Sequence, residues 1–399
     1  MSPTYTVEKK GFTGRQIAVL IGACLYQCAM IGVLMNCSGV LFAQIRQELS
    51  FSMSKVSLYN TMKSVTTALA AASVTALYFR SKKPIFLLLN QLVTICGFLL
   101  LTVGADNTLW YISAVLCGAA GCVGSVAIPM LLTQWFPDNS GTATGIAMSF
   151  SGIGGAICNP LCARLIDSMG WRSAIWVLSA VTLALTIPGL LLMFHGPAPQ
   201  EPARRTKAAS ASQEPLNVGT IVLVALVLIG GSLGVTFAIN ISMFAQSIGY
   251  ALSVGASMTT MIMIGNVGSK FLYGMFCDKV GAWKATMGAL AVAMAALLCY
   301  LFASSQVVVL FAASLLYGCV YALSVVGISR CCIAAYGQQD SKRYLGVHTC
   351  INSVVMAGAS LLVGVLVDGF GSFTPVLLTV LATMVCSFGA CVALQKKHR

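Results

Sequence analysis

The chain has 399 residues, 58% of them apolar and 8% charged, with a formal net charge of +13 and a mean hydropathy of +0.89. A soluble domain carries about 25% charged residues, so this composition excludes a soluble globular protein and calls for one embedded in lipid. The basic residues are scattered through short loops rather than gathered on one folded face, which excludes a nucleic-acid partner.

A membrane-spanning helix needs about 20 apolar residues. On that measure the hydropathy predicts an all-α integral membrane protein of twelve helices, at approximately 16–45, 53–79, 84–105, 108–135, 140–166, 172–195, 217–246, 252–277, 284–303, 306–336, 344–367 and 373–394. A polar tail runs through Arg15 with no small-residue cleavage site behind a short apolar core, so the first helix is expected to stay as an anchor. The stretch 196–215 is rich in Pro, Ala and Ser and reads as a flexible linker. It divides the chain into an N-terminal half of residues 1–195 and a C-terminal half of residues 216–399, six helices each.

Orientation follows from the loop charges. Lys9, Lys10, Arg15, Arg80, Lys82, Lys83, Arg204, Arg205, Lys207, Lys279, Lys284, Lys342, Arg343, Lys396, Lys397 and Arg399 share one side, 16 of the 23 basic residues. Only Arg46, Lys55 and Arg172 fall opposite. Basic loops stay in the cytoplasm, which predicts a multi-pass protein of a cell membrane, a bacterial inner membrane, with both termini cytoplasmic.

Four basic residues remain inside the helices: Lys63, Arg164, Lys270 and Arg330. All ten acidic residues lie at helix ends or in loops, so the interior field is positive without a counter-ion. Arg164 has Asp167 three residues on, a spacing that suits an ion pair near the surface. Arg330 is within snorkelling reach of the interface. Lys63 and Lys270 are left in need of an anion, because a charge in lipid costs at least ~2.5–3.5 kcal/mol. The alternative for Lys270 is to snorkel, but Asp278 lies two turns away, roughly 12 Å at 1.5 Å per residue. Lys270 opens the stretch that ends in Gly274, Asp278, Lys279, Gly281 and Lys284, a charged turn where the helix leaves the lipid.

The third, sixth, ninth and twelfth segments carry no charge within their apolar spans and are expected to face lipid. The others hold Gln27, Asn36, Gln134, Asn159, Asn240, His348 and Asn352 beside the cations. These side chains either surround a wet cavity or bridge helices by hydrogen bonds. Glycines at 118, 121 and 124, at 141 and 145, and at 152, 154 and 155 ahead of Pro160 mark close helix contacts. The run SGIGGA follows no strand and is not a dinucleotide loop. The 16 cysteines lie mostly in apolar runs, where a thiol acts as a small hydrophobe, and their spacing makes no metal site.

Two six-helix halves around a cytoplasmic linker resemble the major facilitator superfamily. GMFCDKVGAWK resembles its loop motif at Gly274, Asp278, Lys279, Gly281 and Lys284, to which the family assigns gating. The matching ALYFRSKKP of the first half keeps Arg80, Lys82 and Lys83 but lacks the Gly and Asp. WFPDNSGTATGIAMSFSGIGGAICNPL and Gly170-Trp171-Arg172 resemble the oxalate:formate antiporter and monocarboxylate transporter branch, with Asn139-Ser140 in place of a basic pair. That branch places a substrate-binding arginine eight residues before the loop Asp, where this chain has Lys270. It also places a lysine in the eleventh helix at the position of Asn352, one turn from His348. The resemblance thus implies a small organic anion, and the neutral Asn352 points to a monocarboxylate rather than a dianion.

The expected function is secondary active transport of such an anion by alternating access. Lys270 is the main cation, with Lys63, His348, Asn352, Asn36 and Tyr26 as further site residues. No cofactor, metal or catalytic group is expected, and a monomer suffices. A proton or a counter-anion is the coupling partner, and the sequence does not choose between exchange, symport and uniport. The alternative is efflux of other small molecules by the same fold; a cationic-drug pump would carry an interior carboxylate, and none is present. A membrane enzyme would need paired carboxylates, a metal cluster or an activated nucleophile.

Overall fold

The computed structural model describes residues 12–104, 107–137, 139–195 and 218–397. The linker expected at 196–215 and the N-terminal basic tail lie outside these residues. The described chain is helical throughout, and its helices are joined by turns of a few residues.

The first half contains α1 (Gly14–Glu48), α2 (Met53–Arg80), α3 (Lys83–Val103), α4 (Asn107–Trp135), α5 (140–169) and α6 (171–194). The second contains α7 (Val218–Ile239), α8 (Leu252–Val280), α9 (Ala282–Phe302), α10 (307–336), α11 (338–370) and α12 (Thr374–Lys397). The count agrees with the twelve expected segments. One boundary differs. The predicted 217–246 helix breaks at Asn240, whose backbone leaves the helical region, and resumes as the short Ile241–Ser247.

Glycine in the left-handed region makes the sharpest corners. Gly170 (φ 78°) separates α5 from α6, and Gly337 (φ 75°) separates α10 from α11. Gly281 (φ 89°) ends α8 and starts α9 within one residue, as the charged turn required. A side chain with a Cβ is strained there. Two wide π-turn stretches interrupt the regular helices, Cys28–Met35 in α1 and Leu323–Gly327 in α10.

Length and composition mark nine segments of the described chain as able to cross a membrane, one of which is α5 and α6 together. The two helices outside that set are α2 and α8, the carriers of Lys63 and Lys270. Apolar side chains are exposed on the chargeless helices and on the charge-bearing ones alike, Leu69 on α2 and Phe271 on α8 among the latter. Leu89 on α3, Trp176 and Leu191 on α6, Phe302 on α9 and Val385 on α12 are all exposed at the bundle surface.

Both ends of the described chain lie on one side of the bundle, called the terminal face below. Arg15 reaches the Met193 carbonyl at the end of α6, and Lys397 reaches the Thr220 hydroxyl at the start of α7. The halves meet away from that side. Gly152 on α5 abuts Met263, Asn266 and Val267 of α8, and Gly364 on α11 abuts Ser54 and Ser57 of α2. The Thr61 hydroxyl on α2 donates to the Ala357 carbonyl of α11 at 2.9 Å, and Thr260 on α8 donates to the Ala156 carbonyl of α5 at 3.3 Å. At the far rim both oxygens of Asp368 accept from the start of α2, from Met53 N at 2.8 Å and Ser54 N at 2.7 Å. That helix start offers unpaired N–H groups and a positive dipole end, so the carboxylate satisfies both needs across the interface.

Candidate functional site

Residues three and four apart share one helix face. Asn266 and Val267 of α8 touch the first half, so Lys270, four and three residues on, faces the same gap one turn nearer the terminal face. Its side chain is partly buried. Neither Lys270 nor Lys63 has a carboxylate within ion-pair distance among the described residues, where the ion pairs are Arg172–Glu48 at 3.0 Å and Arg330–Asp278 at 2.9 Å. The Oδ1 atom of Asn266 is buried without a hydrogen-bond partner among the described residues. An ammonium and an amide therefore face the seam between the halves with polar capacity unused.

Asn36 belongs to the same neighbourhood. It begins the regular part of α1 just after the π-turn stretch and donates Nδ2 to the Ser151 carbonyl at 2.8 Å. Its Cβ lies where a side chain on Gly155 would go, and Met263 of α8 borders the same gap. The glycines of α5 thus let α1 and α8 converge on one point, with Asn36 and Asn266 on either side of it.

The remaining predicted residues are placed elsewhere. Lys63 follows Thr61 by two residues, so α2 turns it from α11 towards α4. Its backbone lies against Gly118 of α4. That is a seam inside the first half. Tyr26 is fully buried between α1 and α3, its hydroxyl donating to the Leu87 carbonyl at 3.0 Å. His348 is also fully buried and meets the Tyr336 hydroxyl of α10 at 3.0 Å, behind a stacked Tyr336–Tyr344 pair. Asn352 accepts from the Ser232 hydroxyl of α7. Two of the other neutral polar residues take up the bridging role: Gln27 donates to the Gly124 carbonyl and Lys83 donates to Gln134. Asn159 and Asn240 bond within their own helices instead.

Two charge pairings differ from expectation. Arg164 is exposed and makes no ion pair with Asp167. Asp167 instead lines a polar pocket of about 490 Å³ with Gln44, Gln47, Gln246 and Tyr250, on the face opposite the termini. Arg330 does not only snorkel. It pairs with Asp278 and so ties the end of α10 to the Gly274–Lys284 motif, of which Gly274, Asp278 and Lys279 lie on α8 itself and Gly281 makes the turn to Lys284. Sequence reasoning did not single out Asn266 or the inter-half role of Asp368. The spacing of four residues between Asn266 and Lys270 was the available signal for the first. Nothing local in the chain signals the second.

The sequence model of the Major Facilitator Superfamily matches residues 23–360, and the chain belongs to that superfamily. Among curated relatives, human monocarboxylate transporter 11 is 26% identical over 151 residues, 37% of this chain and 32% of the relative. A probable sulfoacetate transporter of Cupriavidus necator is 31% identical over 117 residues, 25% of this chain and 27% of the relative. The Escherichia coli MFS-type transporter YhjX is 23% identical over 225 residues, 54% of this chain and 55% of the relative. The matches thus span from about a quarter to about half of the relatives' length. Among solved structures, the nucleoside transporter NupG superposes with a TM-score of 0.71 at 11% identity, covering 96% of this chain and all of that one. A bacterial homologue of the human lysosomal transporter Spinster, in an inward-facing and occupied conformation, gives 0.66 at 15% identity over 97% of each chain. At these identities the likeness is one of fold.

Proposed function

We propose that the protein is a secondary active transporter of a small organic anion, a monocarboxylate or a compound of similar size and charge, working by alternating access in a cytoplasmic membrane. The observation that carries this reading is Lys270: a cation on the inter-half face of α8, with no carboxylate within ion-pair distance among the described residues. A charge in that position needs a partner, and a bound anion supplies one. The names of relatives that carry monocarboxylates and sulfoacetate, both organic anions, agree with it.

Binding at a seam between two helical halves is the arrangement from which rocking exchanges access. The halves are hydrogen-bonded on the side away from the termini, and Lys270 sits just to the terminal side of the last crossing. If the termini are cytoplasmic, as the loop charges require, this is the inward-facing arrangement. The anion then meets Lys270 first, with Asn36 and Asn266 as neutral hydrogen-bonding partners. Lys63, Tyr26, His348 and Asn352 support the helices that carry this site, and the Asp278–Arg330 pair holds the gating motif to α10.

The test is counterflow in proteoliposomes loaded with a mixed organic-acid library. Exchange of a radiolabelled monocarboxylate against a cold one is expected. Uptake of nucleosides or cationic dyes with no response to any acid would replace this reading with efflux or neutral-solute transport.

A further inference from the structure

The face of α8 turned away from Lys270 carries a second feature. Ile264, Gly268, Leu272 and Phe276 repeat every four residues and line an apolar cavity of about 730 Å³ between α8, α9 and α10. It is open to the bundle surface, where Ile264, Leu272 and Phe276 are exposed. A Cβ on Gly268 or Gly288 would meet nothing within 4 Å, so the groove is an unfilled gap in the helix packing. Its floor is closed, because Gly265 and Gly318 bring α8 and α10 into backbone contact, and the Ser269 hydroxyl is spent on the Asn266 and Gly318 carbonyls. From Gly265 to Val280 the groove follows α8 for 15 residues, about 22 Å. One leaflet of the hydrocarbon core is about 15 Å thick. The groove therefore runs from mid-membrane to the headgroup level at the terminal face.

Its mouth is charged. Lys284 lines the cavity on the first turn of α9, and Lys279 is exposed on the last turn of α8. Asp278, the acidic residue of this stretch, is already paired with Arg330. Trp283, adjacent to Lys284, is a residue type that marks the interface level.

We propose that this groove is a binding site for one phospholipid with an anionic headgroup, its acyl chain along Gly268 and Gly288 and its phosphate at Lys284 and Lys279. An apolar chain is the only chemistry that fits the lining, and the two unpaired ammonium groups at its end select a negative head. The site lies on the opposite face of α8 from Lys270 and does not depend on what the transporter carries.

The test uses the full-length purified protein and native mass spectrometry, with phosphatidylglycerol and phosphatidylcholine of identical chains. Each lysine near an anionic headgroup contributes about 1 kcal/mol, so the pair predicts retention of phosphatidylglycerol on the order of 30-fold tighter. Lys279→Gln with Lys284→Gln is expected to remove that preference while leaving chain-dependent binding. Gly268→Leu with Gly288→Leu, which fills the groove, is expected to abolish retention of both lipids. Equal retention of the two lipids by the unaltered protein overturns the proposal. So does undiminished retention by the filled variant, which would mean annular lipid only. Competition by soluble glycerol phosphate as strong as by the lipid would reduce the site to a surface phosphate contact and also overturn it. Should the filled variant fail to fold, the lysine pair decides alone.

Discussion

At the scale of single residues, Lys270 and Lys63 illustrate how the same charge acquires different roles. Both are interior lysines without a carboxylate partner among the described residues, but α8 turns Lys270 to the seam between halves and α2 turns Lys63 to the seam with α4. Removing one member of a desolvated ion pair costs ~3–5 kcal/mol, which is more than a hundredfold in affinity. Lys270→Gln is therefore expected nearly to abolish uptake of the anion at normal membrane abundance. Lys270→Arg is expected to keep part of it, since the charge survives in a planar, forked shape. Uptake normalised to membrane protein reads both. Wild-type uptake by Lys270→Gln would return the lysine to a snorkelling role and remove the main argument for an anionic substrate.

At the scale of elements, α8 presents two different faces, one to the other half of the bundle and one to an open groove. Its crossing with α10 is the tightest part: a Cβ on Gly265 would meet the Leu315 carbonyl oxygen at 1.9 Å, and one on Gly318 would meet the α8 backbone at 2.5 Å. Backbone has no rotamer to move aside. Gly265→Ala is expected to destabilise the protein by about 1–3 kcal/mol, the range for overpacking. Gly268→Ala, three residues on and facing the open groove, is expected to be neutral or to stabilise by about 0.5–1 kcal/mol through helix propensity. Thermal unfolding in detergent compares the two directly. Equal behaviour of the two alanines would show that the α8–α10 crossing is looser than its geometry.

At the scale of the whole molecule, the question is what holds the halves together on one side. The Asp368 carboxylate joins α11 to the start of α2 through two short hydrogen bonds to backbone N–H groups, and hydrogen bonds to a charged group contribute about 1.5–3 kcal/mol. Asp368→Asn keeps the size but loses the charge and turns one oxygen into a donor. It is expected to accelerate hydrogen exchange at the Met53 and Ser54 amides tenfold or more, as the face opposite the termini opens more often. Unchanged exchange would leave the remaining contacts, such as Thr61 to Ala357, as the real closure. Topology is tested at the same scale. A cytoplasm-specific reporter fused to the C-terminus is expected to be active, and a reporter active only when exported would reverse the orientation.

What the chain determined by itself was its class and its helices. Runs of apolar residues are read by lipid one segment at a time, so the succession of helices and the turn at Gly281 follow from local composition. The distance of Lys270 from the carboxylates of the described residues was equally legible, because the acidic residue of its own helix, Asp278, lies two turns away. The partners of polar groups were not. Whether Asn352 met a ligand or Ser232, whether Arg164 met Asp167, and whether His348 faced a cavity or Tyr336 all depended on how each helix is rotated in the bundle. Hydropathy does not encode that rotation where several faces are apolar or mixed. Tertiary packing decided it, through glycines that let particular backbones touch. It alone placed Asp368 over the start of α2, some 315 residues away in the chain. It also left the Lys270 face of α8 to the seam and the Gly268 face to a groove open at the bundle surface.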